Sequence, residues 1–211
     1  MRLVCLFSIL SALIAGESAI VPLPLGGAAA MPFRDEVAGD GRGGWTDQGD
    51  NDLRALAPGE VVAGELRFAV GERGIVLADG RIAGWSRTVA VDAGGRSGSA
   101  IYLLHASAWT PRGEVAIGNL RLHYADGSSE TRTVRSRREV ADWWNPVDRL
   151  PEAVLAWCGA NAQAQVGLYA TRIPIPDRPL QRIELEAVGG AVWMVAALSL
   201  GADRPLPAVE P

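Results

Sequence analysis

The chain has 211 residues, of which 48% are hydrophobic and 21% charged, and its formal net charge is −4. A net negative charge argues against general affinity for nucleic acid, because the phosphate backbone attracts cationic surfaces. All 20 basic residues are arginine, which excludes Schiff-base and lysine-nucleophile chemistry. Composition and charge therefore fit one globular domain without general affinity for nucleic acid.

The N-terminal segment is typical of a secretory signal peptide. Arg2 precedes the largely apolar run Leu3–Ala15, which is too short for a membrane span of roughly 20 residues. Small residues place the cleavage site after Ala19 or after Ala30. We expect a secreted or periplasmic protein that does not insert into a membrane. The predicted divisions are residues 1–30 (signal peptide and short leader), 31–203 (one domain) and 204–211 (a proline-rich tail).

The remaining chain has the two-residue period of half-buried strands. Leu120, Leu122 and Tyr124 alternate with polar residues, Asp126-Gly127 supplies a hairpin turn, and a return strand is expected near Glu130–Val134. Further predicted strands are Glu65–Val70, Val89–Asp92, Ala100–His105, Val166–Arg172, a strand around Ile183 and Leu185, and Val192–Leu200. One helical turn is expected within Arg138–Trp144. Short strands separated by Gly and Pro predict an all-β fold, a single antiparallel β-sandwich or jelly roll.

Two glycine-rich stretches resemble catalytic or cofactor motifs without their context. Gly39–Gly44 fits the dinucleotide pattern G-x-G-x-x-G but lacks the preceding strand and the following helix. Gly95–Ser99 resembles a nucleophile elbow, yet serine replaces its second glycine. No assembled catalytic motif is visible, and we expect a non-enzyme. A pair of glycosidase carboxylates stays open, because one sequence cannot show their separation.

The cysteines and histidines are few. Cys5 would leave with the signal peptide, so Cys158 has no partner for an intramolecular disulfide and is expected to be a buried small hydrophobe. His105 and His123 do not have the spacing of a zinc site. We expect His123 on the exposed face of its strand. His105 is either a structural histidine or a ligand contact.

Charged residues concentrate in two stretches. The acidic stretch contains Asp40, Asp47, Asp50 and Asp52, whose oxygen atoms suit calcium although their spacing matches no EF-hand. The alternative is a turn-rich loop whose aspartates cap backbone amides. The basic stretch is expected to be a solvated loop face; its members are Arg132, Arg135, Arg137 and Arg138.

Tryptophan is unusually abundant, with 7 of the 13 aromatic residues. Its indole ring suits the C–H face of a pyranose and can donate one hydrogen bond. Trp157 and Trp193 lie in apolar strands and are expected in the core, whereas other tryptophans have polar or turn-like neighbours. The predicted carbohydrate-binding residues are Trp45, Asp47, His105, Trp109, Asp142, Trp143, Trp144 and Asn145.

Several stretches together resemble a known class of domain. They are GDGRGGWTDQGDNDL (39–53), YLLHASAW (102–109), LHYADGS (122–128), ADWWN (141–145), AWCGANA (156–162) and GLYATRIPIP (167–176). The chain resembles a β-sandwich accessory domain of secreted bacterial glycoside hydrolases, similar to galactose-binding-like jelly-roll carbohydrate-binding modules. The resemblance implies a non-catalytic jelly roll.

Three hypotheses for function follow. The first is a secreted carbohydrate-binding protein that recognises a poly- or oligosaccharide, with no cofactor other than calcium. The second is a structural or protein-interaction sandwich at the cell surface, with a protein partner and with its tryptophans in the core. The third is a small glycan hydrolase that uses paired carboxylates such as Asp47 and Asp142.

Overall fold

The computed structural model describes residues 19–42, 44–80 and 85–208. The predicted signal sequence up to residue 18 lies outside the described residues. A 3-10 turn at Gly26–Ala28 accompanies fourteen strands. The strands are β1 (Val21–Leu23), β2 (Met31–Pro32), β3 (Gly59–Ala63), β4 (Leu66–Val70), β5 (Arg73–Ala78), β6 (Thr88–Arg96), β7 (Ala100–Ala108), β8 (Ala116–Tyr124), β9 (Ser129–Arg135), β10 (Arg149–Leu150), β11 (Ala153–Ala160), β12 (Gln165–Pro174), β13 (Leu180–Ala187) and β14 (Val192–Gly201).

The strands form two large sheets and one hairpin. The eight-stranded sheet has the order β10-β11-β12-β7-β14-β5-β2, and β1 also pairs with β14. The four-stranded sheet has the order β6-β13-β8-β9, and β3 pairs with β4 alone. Every pairing between these strands is antiparallel. The predicted all-β antiparallel sandwich is confirmed, whereas its jelly-roll type stays a prediction.

The eight-stranded sheet is the middle layer of the molecule, because both of its faces are covered. From β7, Ile101 and Leu103 face the core shared with the four-stranded sheet. Their neighbours Tyr102 and Leu104 belong to a second core, which the β3–β4 hairpin and the segment 33–56 complete. Successive strand residues point to opposite faces, so a doubly covered strand is apolar throughout. This explains why β7 and β14 are largely apolar and are buried along their whole length.

The predicted hairpin is present as β8 and β9, with Tyr124 bonded to Ser128 across its turn. The helical turn expected within Arg138–Trp144 was wrong. The Trp143 amide donates to the carbonyl of Ser107, and the carbonyl of Trp143 accepts from the Gly167 amide. Because these groups bond to the neighbouring chain segments, they are not available for a helix.

The chain near the predicted cleavage sites is part of the fold. Strand β1 pairs with the end of β14, from Val21 opposite Leu200 to Leu23 opposite Leu198. Leu23 is buried in the core between the sheets. In the part of the chain that the structure describes, no helix has the length and apolar character needed to cross a bilayer.

Candidate functional site

Two adjoining clefts open beside the end of β7 and share Asp142 and Trp144. The larger has a volume of about 410 Å³, and its lining includes Thr110, Arg112, Arg137, Asp142, Trp144 and Asn145; we call it the arginine cleft. The smaller, about 220 Å³, is lined by Gln48, Ala108, Trp109, Asp142, Trp143 and Trp144; we call it the indole cleft. Five of the predicted carbohydrate-binding residues therefore meet at one surface.

Asp142 holds the two chain segments of this surface together. One carboxylate oxygen accepts hydrogen bonds from the Thr110 amide at 3.2 Å and the Thr110 hydroxyl at 3.0 Å. The other oxygen accepts the Trp144 amide at 3.1 Å. The turn after β7 and the segment 141–145 are thereby tied to one another by charge-assisted hydrogen bonds.

The two accessible tryptophans of the clefts are Trp109 and Trp144. Trp109 is 37% exposed, and Trp144 is half-buried. The Trp144 indole N–H donates to Asn51 Oδ1 at 3.1 Å, and the same oxygen accepts Asn161 Nδ2 at 2.8 Å. Because Asn51 is itself buried, these bonds fix the orientation of the Trp144 ring.

Backbone strain is concentrated around the clefts. Among the described residues, the non-glycine positions with positive φ are Asp47, Trp109, Arg137 and Asn145. The last three line one or other cleft. A left-handed backbone costs a residue such as Trp109 or Arg137 about 1–2 kcal/mol, whereas asparagine and aspartate adopt it more readily. Such strain persists where the surroundings enforce it, often at functional sites.

Three of the predicted site residues lie in the interior. Trp45 is fully buried and packs edge to face on Trp143, with ring centroids 4.9 Å apart. Trp143 is 2% exposed, although it forms part of the wall of the indole cleft. His105 is fully buried and belongs to the core. We therefore assign Trp45 and His105 structural roles, and we leave them out of the site.

The surroundings of His105 show why it is structural. Its Nδ1 accepts the Trp193 indole N–H at 3.0 Å, and its Nε2 lies 2.8 Å from the Thr171 hydroxyl and 3.1 Å from the carbonyl oxygen of Glu139. Burial lowers the pKa of His105 to about 3, so the ring is neutral at physiological pH. All of its polar contacts are internal.

The acidic stretch folds into a compact loop that differs from the predicted set. Oxygen atoms of Asp35, Asp40 and Asp47 lie within 4.8 Å of one another, and Asp35 is buried. Asp47 accepts the amides of Gly39 and Gly41, each at 3.1 Å. The loop therefore has the aspartate caps on backbone amides that were predicted as the alternative to a calcium site. Its three carboxylates are also the group of described residues that could hold a cation.

The other two aspartates of the predicted calcium set lie apart from that group. Asp52 is 1% exposed, and its carboxylate accepts Arg54 Nε at 2.9 Å as well as the Asp35 amide at 2.8 Å. Asp50 is exposed. The sequence did not indicate this division of roles. Asp35 precedes the acidic stretch in sequence, and the hydrogen-bond partner of each carboxylate depends on how the loop folds.

Cys158 and Trp157 are less buried than expected. Cys158 is exposed, so its predicted burial was wrong. The reason is its place near the end of β11 at the margin of the sheet, where β10 pairs only with Ala153 and Val154. Trp157 is half-buried, whereas Trp193 is fully buried as expected.

Gln48, Arg112 and Arg137 are among the cleft residues that were not predicted as site residues. Arg137 belongs to the basic stretch that was expected to be a solvated face. A local indication existed for Arg112, because Thr110-Pro111 marks a turn at the end of an apolar strand. Nothing local connects these residues to Trp144.

The sequence matches no protein-family model and has no significant match among curated proteins. The contacts described above are therefore the basis for a functional assignment.

Proposed function

We propose that the protein is a non-catalytic carbohydrate-binding domain that acts in the periplasm or outside the cell. The observation that carries the proposal is that Trp109 and Trp144, both accessible, line the indole cleft together with Asp142. An indole offers an apolar platform to the C–H face of a pyranose ring. The Gln48 and Asn145 amides supply donors and acceptors for sugar hydroxyls.

The contacts of the site support a preformed platform. Asn51 orients the Trp144 ring, and the carboxylate of Asp142 fixes the adjoining turn. Side chains held in this way lose little conformational freedom when a ligand binds, which lowers the free-energy cost of association. Preorganisation suits recognition of a flexible, strongly hydrated ligand such as a glycan.

The presence of a single carboxylate in the lining of the clefts favours carbohydrate binding over hydrolysis. Glycosidases use two carboxyl groups that flank the scissile bond at a separation of roughly 5–10 Å. Among the described residues that line the two clefts, Asp142 is the one carboxylate, and its oxygens accept three hydrogen bonds. The hydrolase hypothesis would require turnover of a glycan that an Asp142→Asn variant loses.

The second candidate function is a structural or protein-interaction sandwich at the cell surface. It is favoured by the burial of Trp45, Trp143 and Trp193, which act as core residues. Under this alternative, the accessible indoles would contact a protein partner instead of a sugar.

Affinity measurements test the proposal. The purified domain is screened on a broad glycan array, and its binding is quantified by isothermal titration calorimetry. We expect Trp144→Ala and Trp109→Asn each to weaken binding by at least tenfold, the loss expected when an aromatic anchor is removed. Asparagine is chosen at position 109 because it tolerates the positive φ.

The matched control is Trp157→Ala, which removes a half-buried indole that lines neither cleft. It is expected to leave glycan affinity unchanged. Thermal unfolding and near-ultraviolet circular dichroism establish that each variant is folded. A folded wild-type protein that binds no glycan on the array would overturn the proposal and favour the cell-surface alternative.

A further inference from the structure

Two arginines, Arg112 and Arg137, line the arginine cleft, and both are exposed. Neither forms an ion pair with a carboxylate of the described residues. By contrast, the arginines close to Arg137 in sequence do form ion pairs, because Arg135 and Arg138 both lie within 4.0 Å of Glu139. The guanidinium groups of the two cleft arginines are therefore available to a partner outside the chain.

The clefts hold a local positive charge in an acidic protein. Arg112, Arg137 and a single acidic residue, Asp142, line the arginine cleft, whereas the whole chain has a net charge of −4. The carboxylate of Asp142 accepts its hydrogen bonds from Thr110 and Trp144, and among the described residues it forms no ion pair with either arginine. A cleft of this kind attracts an anion, and low-dielectric walls increase that attraction.

The backbone holds Arg137 at the cleft. Its φ is 59°, and its amide donates to the carbonyl of Val140 at 2.7 Å. The preceding Ser136 is fully buried, and its hydroxyl donates to the Gly113 carbonyl at 2.7 Å. Glycine or asparagine would adopt this conformation with less strain. A guanidinium at a strained, anchored position is the arrangement expected of a ligand contact.

We infer that the ligand of this site is an acidic glycan, whose carboxylate or sulfate groups are bound by Arg112 and Arg137 in the arginine cleft. The inference rests on the proposed function, because the indoles of Trp109 and Trp144 supply the sugar platform. The planar guanidinium matches a carboxylate or a sulfate by two parallel hydrogen bonds. Uronic acids and sulfated sugars are the glycans with these groups.

Matched polymers test the charge requirement. The acidic probes are polygalacturonate, alginate, hyaluronan and dextran sulfate. The neutral probes are the carboxyl-reduced forms of the first three and unmodified dextran, which keep the polymer and remove the charge. We expect at least one acidic polymer to bind at least tenfold more tightly than its neutral counterpart. Preference for a carboxylated or a sulfated probe identifies the anionic group.

Variants assign the charge effect to the cleft. Arg112→Gln and Arg137→Asn are each expected to lower affinity for the acidic polymer by about tenfold more than affinity for its neutral form. Asparagine again suits the positive φ at position 137. The control is Arg121→Gln on β8, an exposed arginine that lines neither cleft. It is expected to bind like the wild type.

The failure of this inference is distinguishable from that of the proposed function. Equal binding of acidic and neutral polymers, unchanged in the Arg112 and Arg137 variants but lost in Trp144→Ala, overturns the acidic preference alone. An equal loss in Arg121→Gln also overturns it, because the attraction would then be diffuse. A folded protein that binds no polymer of either kind overturns both proposals.

Discussion

The indole N–H of Trp193 donates to Nδ1 of His105 at 3.0 Å in the core of the sandwich. This bond makes Nδ1 an acceptor, so the proton of the neutral ring lies on Nε2, which faces the hydroxyl of Thr171. The Thr171 hydroxyl in turn donates to the carbonyl of Glu139. One buried histidine thus joins β7, β12 and β14 to the turn before Asp142.

Stability at mildly acidic pH should depend on His105. Burial lowers its pKa to about 3, whereas its pKa in the unfolded chain is about 6.5. Between these values the unfolded state binds one more proton than the folded state. The contribution of His105 is therefore complete above pH 6.5, and the free energy of unfolding falls by about 1.4 kcal/mol per pH unit as the pH is lowered towards 3.

Urea unfolding at pH 7, 6 and 5 measures this dependence. His105→Gln should remove the part of the pH dependence of the unfolding free energy that comes from His105. It should also lower the free energy of unfolding at pH 7. An identical slope in the wild type and in His105→Gln would show that folding does not lower the pKa of His105.

The sandwich should not tolerate a side chain at Gly118 on β8. A Cβ atom built there would lie 2.3 Å from an aromatic carbon of Trp193, which belongs to the facing sheet. We expect Gly118→Ala to lower the free energy of unfolding by about 1–3 kcal/mol, the usual cost of overpacking. Gly27→Ala is the control, because a Cβ atom at Gly27 meets nothing within 4 Å. Thermal and urea unfolding measure the stability of both variants. If the two variants were equally stable, the sheets could move apart at Gly118 with no loss of unfolding free energy.

Export should remove the leader after Ala19 and not after Ala30. Cleavage after Ala30 would remove β1, with its pairing to β14 and the buried Leu23. Exposure of the core that Leu23 covers would cost about 2 kcal/mol or more. Mass spectrometry of the exported protein should give an N-terminus at Ile20. A mature protein that starts at Met31 would contradict this expectation.

The calcium hypothesis predicts a modest stabilisation. A cation would relieve repulsion among the carboxylates of Asp35, Asp40 and Asp47. At ten times its dissociation constant, calcium would add about 1.4 kcal/mol to the free energy of unfolding. Calcium chloride should therefore raise the melting temperature above that in EDTA, and Asp47→Asn should abolish the increase. Asp50→Asn, which changes an aspartate outside the group, should retain it; equal melting temperatures in calcium and EDTA would refute the site.

Local sequence patterns were sufficient to predict most of the longer strands. Leu120, Leu122 and Tyr124 alternate with polar residues, and Asp126-Gly127 closes a hairpin, so β8 and β9 could be predicted. Such patterns are local, because the side-chain period of a strand is set by its own backbone. The expected helical turn failed because its polar backbone groups bond to β7 and β12, which lie far away in sequence.

The role of each tryptophan and aspartate depends on contacts that form only in the folded protein. Trp45 and Trp109 both have polar neighbours in sequence, yet the first packs on Trp143 in the core and the second is exposed beside a cleft. Burial depends on which segment covers a side chain, and that segment is usually remote in sequence. For the same reason, the sequence identified Trp144 and Asp142 as candidates but could not place Arg112 and Arg137 beside them.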